Sequence, residues 1–172
     1  MVFQEKLKKI KLLILDVDGV MTSGQLFYGE SGEILIAFNI LDGLGIEIAI
    51  RQGLNVIILT RRTGQSIIYR SNKLGIKEVY KGIEDKKIIL EEIKNKHNLS
   101  YEEISYMGDD LIDLSCMRKV GLAVAVNNAV QELKEISHYV THKKGGEGAV
   151  REIIELILKA QNKWEQEVQK YQ

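Results

Sequence analysis

Residues 11–20 read KLLILDVDGV. The apolar run Leu12 to Leu15 passes without a break into Asp16, and Asp18 and Gly19 follow at once. A short continuous apolar run of this kind reads as a strand buried on both faces, as parallel sheets contain. Two carboxylates at its end repel each other and are costly to desolvate. The rest of the chain must supply what offsets that cost.

Working outward, Val56 to Leu59, Ile104 to Met107 and Leu122 to Val126 repeat the strand pattern, and a shorter run lies near Val79. Helix-like stretches lie between them: Asp42 to Gln52, Thr63 to Leu74 with Gly75 as C-cap, and Asp85 to His97. Ser100 and Glu103 have capping-box spacing. Strand and helix in alternation predict an α/β fold, a Rossmann-like parallel sheet with helices on both faces. GQLFYGESGEILIAF, residues 24–38, breaks the alternation. It predicts a β-hairpin flap over the carboxyl end of the sheet, where open α/β sheets bind ligands. Residues 143–172 read as a glycine-rich loop and a C-terminal helix beginning near Gly148, with Trp164 and Tyr171 packing on that helix. No repeat or linker interrupts the chain, so one domain over residues 1–172 is expected.

A chain of 172 residues can bury a proper core. Lysine plus arginine and aspartate plus glutamate number 24 each, so the net charge is zero and argues for neither nucleic-acid nor membrane binding. Any charge-based chemistry must therefore be local. Cys116 is the single cysteine, which excludes an intrachain disulfide, and its apolar helical setting reads as buried. MVFQEKLKKI has no long apolar run, so neither a signal peptide nor a membrane span is expected, and a cytoplasmic location fits. The histidines, His97, His138 and His142, lack metal-ligand spacing.

A parallel sheet brings its strand ends to one rim. Here that rim gathers Asp16 and Asp18, then Thr60 with Arg61 and Arg62, then Lys86, then Asp109, Asp110 and Asp113 of GDDLID. Converging carboxylates suit Mg²⁺, a hard cation that takes one or two carboxylates, water and phosphate oxygens. Asp16 and Asp109 are the ligand candidates, and the cation would offset their repulsion. Lys86 and the Thr60 hydroxyl can hold a phosphate. Asp16 at the strand end can attack phosphorus, while Asp18 protonates the leaving oxygen and later deprotonates water. Asp110 and Asp113 read as supports behind the ligands.

In order and spacing, DVDGV, Thr60, Lys86 and GDDLID resemble the motifs of the haloacid dehalogenase superfamily of aspartate-nucleophile phosphatases. DVDGVMTSGQLFYGESGEILIAFNILDGLGI and KKGGEGAVREIIELIL extend the resemblance to its sugar-acid phosphatases, over roughly residues 10 to 160. That resemblance implies a core with a hairpin in place of a cap domain and a homotetramer in which a neighbour helps cover the site. It implies Mg²⁺ on Asp16, Asp109 and the main-chain carbonyl of Asp18. Substrate contacts are implied from Asp18, from Asn39, Ile40, Leu41, Asp42 and Gly43, and from Arg62, Arg70 and Lys86. Gly145, Gly146 and Gly148 would form a mobile tail closing over the sugar. The implied substrate is 3-deoxy-D-manno-octulosonate 8-phosphate, in lipopolysaccharide precursor synthesis, with a nine-carbon sialic-acid-type 9-phosphate as the alternative. The chain departs from the pattern at Leu41, where a basic residue is common, and at Arg61, where a glycine is common.

Each residue also has an ordinary role: an Asp-Gly turn, a helix N-cap, a strand threonine, a solvated lysine. A phosphoacceptor receiver domain combines similar residue types, but it carries its aspartate after the third strand, where EVYKG has none. An inactive scaffold would not need every motif position filled with a competent group.

Overall fold

The computed structural model describes residues 3–32 and 34–172. A helix that the sequence pattern did not announce, α1 (Phe3–Lys9), precedes the first strand and buries Leu7. The strand β1 (Leu12–Leu15) is buried at every position. A hairpin of β2 (Phe27–Tyr28) and β3 (Ile34–Leu35) follows, pairing Phe27 with Leu35 and Tyr28 with Ile34. The chain continues through α2 (Ile40–Arg51), β4 (Asn55–Leu59), α3 (Gln65–Leu74), β5 (Glu78–Tyr80) and α4 (Lys86–Lys96). Then come β6 (Ile104–Gly108), the single turn α5 (Leu114–Met117), β7 (Leu122–Ala125), α6 (Gln131–Ile136) and β8 (Tyr139–Val140). Two further helices, α7 (Ala149–Ala160) and α8 (Trp164–Val168), end the fold.

Six strands form one sheet in the order β5-β4-β1-β6-β7-β8, and every pairing is parallel. The expected α/β architecture is therefore present. From β1 the chain builds outward on one side through β4 and β5, then returns to the other side of β1 with β6. That reversal opens a crevice at the carboxyl ends of β1 and β6, where such sheets bind ligands. Both faces of the central strands are covered, so β1, β6 and β7 are buried at every position.

Local sequence explains several helix ends. Asn39 accepts from the N–H groups of Leu41 and Asp42 and starts α2 two residues before the expected position. Asp85 caps α4, and Gly75 ends α3 in the left-handed region at φ 75°. The Ser100 N–H and hydroxyl both donate to Glu103, completing the expected capping box. The expected single C-terminal helix is corrected to two, because Asn162 takes φ 56° and breaks it. Trp164 opens the second of these and lies beside the Arg151 guanidinium, 4.8 Å from its ring centre. Tyr171 stays 63% exposed and accepts a hydrogen bond from Arg51, so it does not pack as expected.

Candidate active site

Asp16 lies one residue beyond β1, still within the ladder, its N–H donating to the Met107 carbonyl. The residue is 2% exposed. Oδ1 accepts from the Val17 N–H at 2.8 Å and meets Lys86 Nζ at 3.0 Å. The chain then turns through Gly19, at φ 71°. A Cβ there would stand 1.9 Å from Asp109 Oδ2, so only glycine lets the turn approach Asp109. Asp16 and Asp109 come from adjacent strands, and an oxygen of each lies within 4.8 Å of the other and of Asp113.

Asp113 looks like a third ligand by proximity, but its oxygens are already engaged. Oδ1 accepts from Lys86 Nζ at 2.7 Å and from the Tyr106 hydroxyl at 2.7 Å. Oδ2 accepts from the N–H of Asp109 at 3.1 Å and of Asp110 at 3.4 Å. A carboxylate offers about four acceptor positions, so Asp113 is saturated. It holds Lys86 toward Asp16 and fixes the Asp109 main chain. Tyr106, wholly buried on β6, was missed from sequence because it reads as a core strand residue.

The electrostatics follow from this crowding. Burial, then the Asp113 charge, raises Asp16 to about 6 despite Lys86. Burial, then Asp113, Asp16 and Asp110, raises Asp109 to about 8. Burial opposes the charge of Lys86, but Asp16 and Asp113 outweigh it and raise its pKa. One ammonium thus faces more carboxylate than it can balance. Two carboxylates left short of positive charge, both with oxygen donors, are the donor set a divalent magnesium ion fits.

Thr60 follows β4, is 1% exposed, and accepts from the Arg62 N–H at 3.2 Å. Arg62 Nε donates to both oxygens of Asp18 at 2.9 Å. Arg62, expected on substrate, holds Asp18 in this structure. Arg70 is also turned inward. It donates to the Asn39 carbonyl at 3.0 Å, lies over the Phe38 ring, and passes so close to Gly43 that a Cβ there would stand 2.2 Å from it.

The segment Asn39 to Gly43 divides. Ile40 and Leu41 stand 80% and 55% exposed and line no part of this chain's own cavity at the rim. Asp42 is 2% exposed, and its Oδ1 accepts from the Arg151 N–H at 2.8 Å in the first turn of α7. A carboxylate is stabilised there by the helix dipole, although burial raises its pKa. The expected mobile glycine tail is packed as well. A Cβ on Gly145 would stand 1.7 Å from the Gly19 carbonyl, the Gly146 N–H donates to the Val20 carbonyl, and Asn39 Nδ2 donates to the Gly146 carbonyl. Asn128, unremarked in the sequence, bridges the Gly145 N–H and the Gly19 carbonyl. Asp110 caps the turn at Leu111.

Residues 54–154 match the family model of haloacid dehalogenase-like hydrolases. The chain is 45% identical over 161 residues to a 3-deoxy-D-manno-octulosonate 8-phosphate phosphatase of Yersinia pestis, covering 94% of this chain and 86% of that one. The Escherichia coli K12 phosphatase of the same name is 44% identical over 158 residues, 92% of this chain and 84% of that one. The structure is similar to the Moraxella catarrhalis phosphatase of that name, solved with a magnesium ion, a phosphate ion and the sugar acid. The TM-score is 0.96 at 37% identity, covering 98% of this chain and 97% of that one.

Proposed function

This chain belongs to the haloacid dehalogenase-like hydrolases, and on that premise we propose that it hydrolyses 3-deoxy-D-manno-octulosonate 8-phosphate to the free sugar acid and phosphate. The observation that carries the chemistry is the Asp16–Asp109 pair, under-neutralised at the sheet's switch point with Lys86 on Asp16. Similarity to phosphatases of that name over most of the chain supports the substrate.

Asp16, Asp109 and the main-chain carbonyl of Asp18 would hold Mg²⁺, which neutralises the carboxylates and the phosphate oxygens. Asp16 Oδ1 accepts from the Val17 N–H and faces Lys86, so Oδ2 is the freer oxygen for the attack on phosphorus. As that bond forms, the bond from phosphorus to the sugar oxygen breaks, and Asp18 delivers a proton to the leaving oxygen. Water then attacks the aspartyl-phosphate, Asp18 takes its proton, and Asp16 is regenerated as phosphate departs. Two donors of Lys86 are committed to carboxylates, so its third remains for a phosphoryl oxygen, beside the Thr60 hydroxyl. Loose phosphoryl transfer needs this kind of positioning and charge balance more than covalent assistance.

The protein works as a homotetramer in this reading. Phe27, Tyr28 and Leu35 of the hairpin are 57–68% exposed, and Ile40 and Leu41 are exposed too; these are apolar side chains that a second copy would cover. Sedimentation at micromolar concentration checks this; a monomer contradicts it. Among the described residues no helix is long and apolar enough to cross a membrane, and the cytoplasm of a lipopolysaccharide-making bacterium is the proposed setting.

Phosphate release from a panel of sugar phosphates, with Mg²⁺ and with chelator, tests the function. The panel includes eight-carbon and nine-carbon sugar-acid phosphates. Magnesium-dependent preference for the eight-carbon acid is expected. Preference for a nine-carbon acid overturns the substrate, and release unaffected by chelator overturns the metal.

A further inference from the structure

A cavity of about 450 Å³ opens at the carboxyl rim, with Asp18, Arg61, Arg62, Thr63, Glu84 and Ile112 in its wall. Its two arginines differ. Arg62 is spent on Asp18 and its side chain is only 14% exposed. Arg61 is 49% exposed and is held by Glu84 at 2.7 Å, a carboxylate itself 80% exposed. These two residues belong to different loops, one after β4 and one before α4. They adjoin the phosphate-holding candidates: Arg61 directly follows Thr60, and Glu84 precedes Lys86 by two positions. Both line the same cavity as Asp18, so the pair stands in one wall with the carboxylate assigned to the leaving oxygen.

On the reading of the site as a sugar-acid phosphatase, we propose that Arg61 binds the carboxylate of the substrate and that Glu84 holds its place until substrate arrives. The substrate class carries an anion at each end, and the inner donors, Lys86 and Thr60, serve the phosphate. A solvent-facing ion pair contributes little net stability, so exchanging Glu84 for a substrate carboxylate costs little. The guanidinium fork matches the incoming carboxylate as well as it matches Glu84. Glu84 also repels the same carboxylate whenever Arg61 is absent, which sharpens discrimination.

The two residues must then act in opposite directions. KM is measured for 3-deoxy-D-manno-octulosonate 8-phosphate and for arabinose 5-phosphate, which lacks a carboxylate, on wild type, Arg61→Ala and Glu84→Gln. Arg61→Ala raises KM for the acid about tenfold, the scale of one charge-assisted hydrogen bond, and moves KM for the carboxylate-free sugar less than about twofold. Glu84→Gln lowers KM for the acid about threefold, because Arg61 is released. Equal changes for both sugars, or no change for either, overturn the role of Arg61. Failure of wild type to release phosphate from either sugar overturns the phosphatase reading itself, a different outcome from the other two.

Discussion

Asp16 and Glu167 are both buried carboxylates, 2% and 1% exposed, at opposite ends of the chain. Glu167 sits where α8 folds back on α2, and it is surrounded by donors: Lys170 at 2.7 Å, Gln52 at 2.8 Å, and Arg51. The hydrogen bond from Lys170, then those from Gln52 and Arg51, pushes its pKa down to about 2. Asp16 has one ammonium to share with Asp113, and Asp109 stands across from it, so burial and like charge push both Asp16 and Asp109 up. A carboxylate whose surroundings over-supply donors ties the fold together. A group of carboxylates whose surroundings under-supply charge costs stability until something else arrives.

Removing the proposed nucleophile probes the under-supplied end most severely. Asp16→Asn is expected to cut phosphate release at least about 10³-fold, since a neutral amide cannot form the aspartyl-phosphate. Retention of more than a few per cent of activity would move the nucleophile elsewhere. Lys86→Met tests the balance itself. It leaves Asp16 and Asp113 without their ammonium, and breaking a buried pair this way costs about 3–5 kcal/mol. Denaturant unfolding without metal should register that loss, and Mg²⁺ should recover part of it. An unchanged midpoint would mean that Lys86 does not balance the carboxylates.

Tyr106→Phe is gentler. It removes one of the donors on Asp113 while keeping the ring, so stability falls by about 1–2 kcal/mol. The Lys86 ammonium loses part of its guide, and kcat is expected to fall about tenfold with Mg²⁺ half-saturation little changed. A kcat equal to wild type would reduce Tyr106 to packing.

The smallest effect belongs to the other centre. A carboxyl with a folded pKa near 2, below the usual 4.5, adds stability above about pH 4.5 and loses it as pH falls toward 2. Glu167→Gln should flatten that part of the acid-unfolding curve and leave phosphate release unchanged at pH 7. An acid limb identical to wild type would break the comparison. At the site the sign reverses. With Asp16 near 6 and Asp109 near 8, the metal-free protein loses stability as pH rises from about 4 through 8, and Mg²⁺ removes that slope.

The sheet was legible because strands buried on both faces leave unbroken apolar runs, as Leu12 to Leu15 does. Strand β8 was not, since two residues carry no period. Asp16, Thr60, Lys86 and Asp109 could be placed on one rim because each lies at the end of a strand or the start of a helix. The partners of Asp42 and Arg70 could not be read. Their types suit a sugar acid, but which way a residue at the start of a helix points depends on what packs there, and α7 and Asn39 were invisible as neighbours. Tyr106 failed for the converse reason: a tyrosine in a strand reads as core, and its hydroxyl partner lies on the following turn.

The most direct test is to look for the phosphoryl group on the enzyme. Wild type mixed with 3-deoxy-D-manno-octulosonate 8-phosphate and Mg²⁺ is quenched in acid within one turnover, digested and weighed by mass spectrometry. One added phosphoryl group is expected on the peptide that carries Asp16, absent from the Asp16→Asn variant. Sugar acid released in that turnover with no phosphoryl group on that peptide would contradict it.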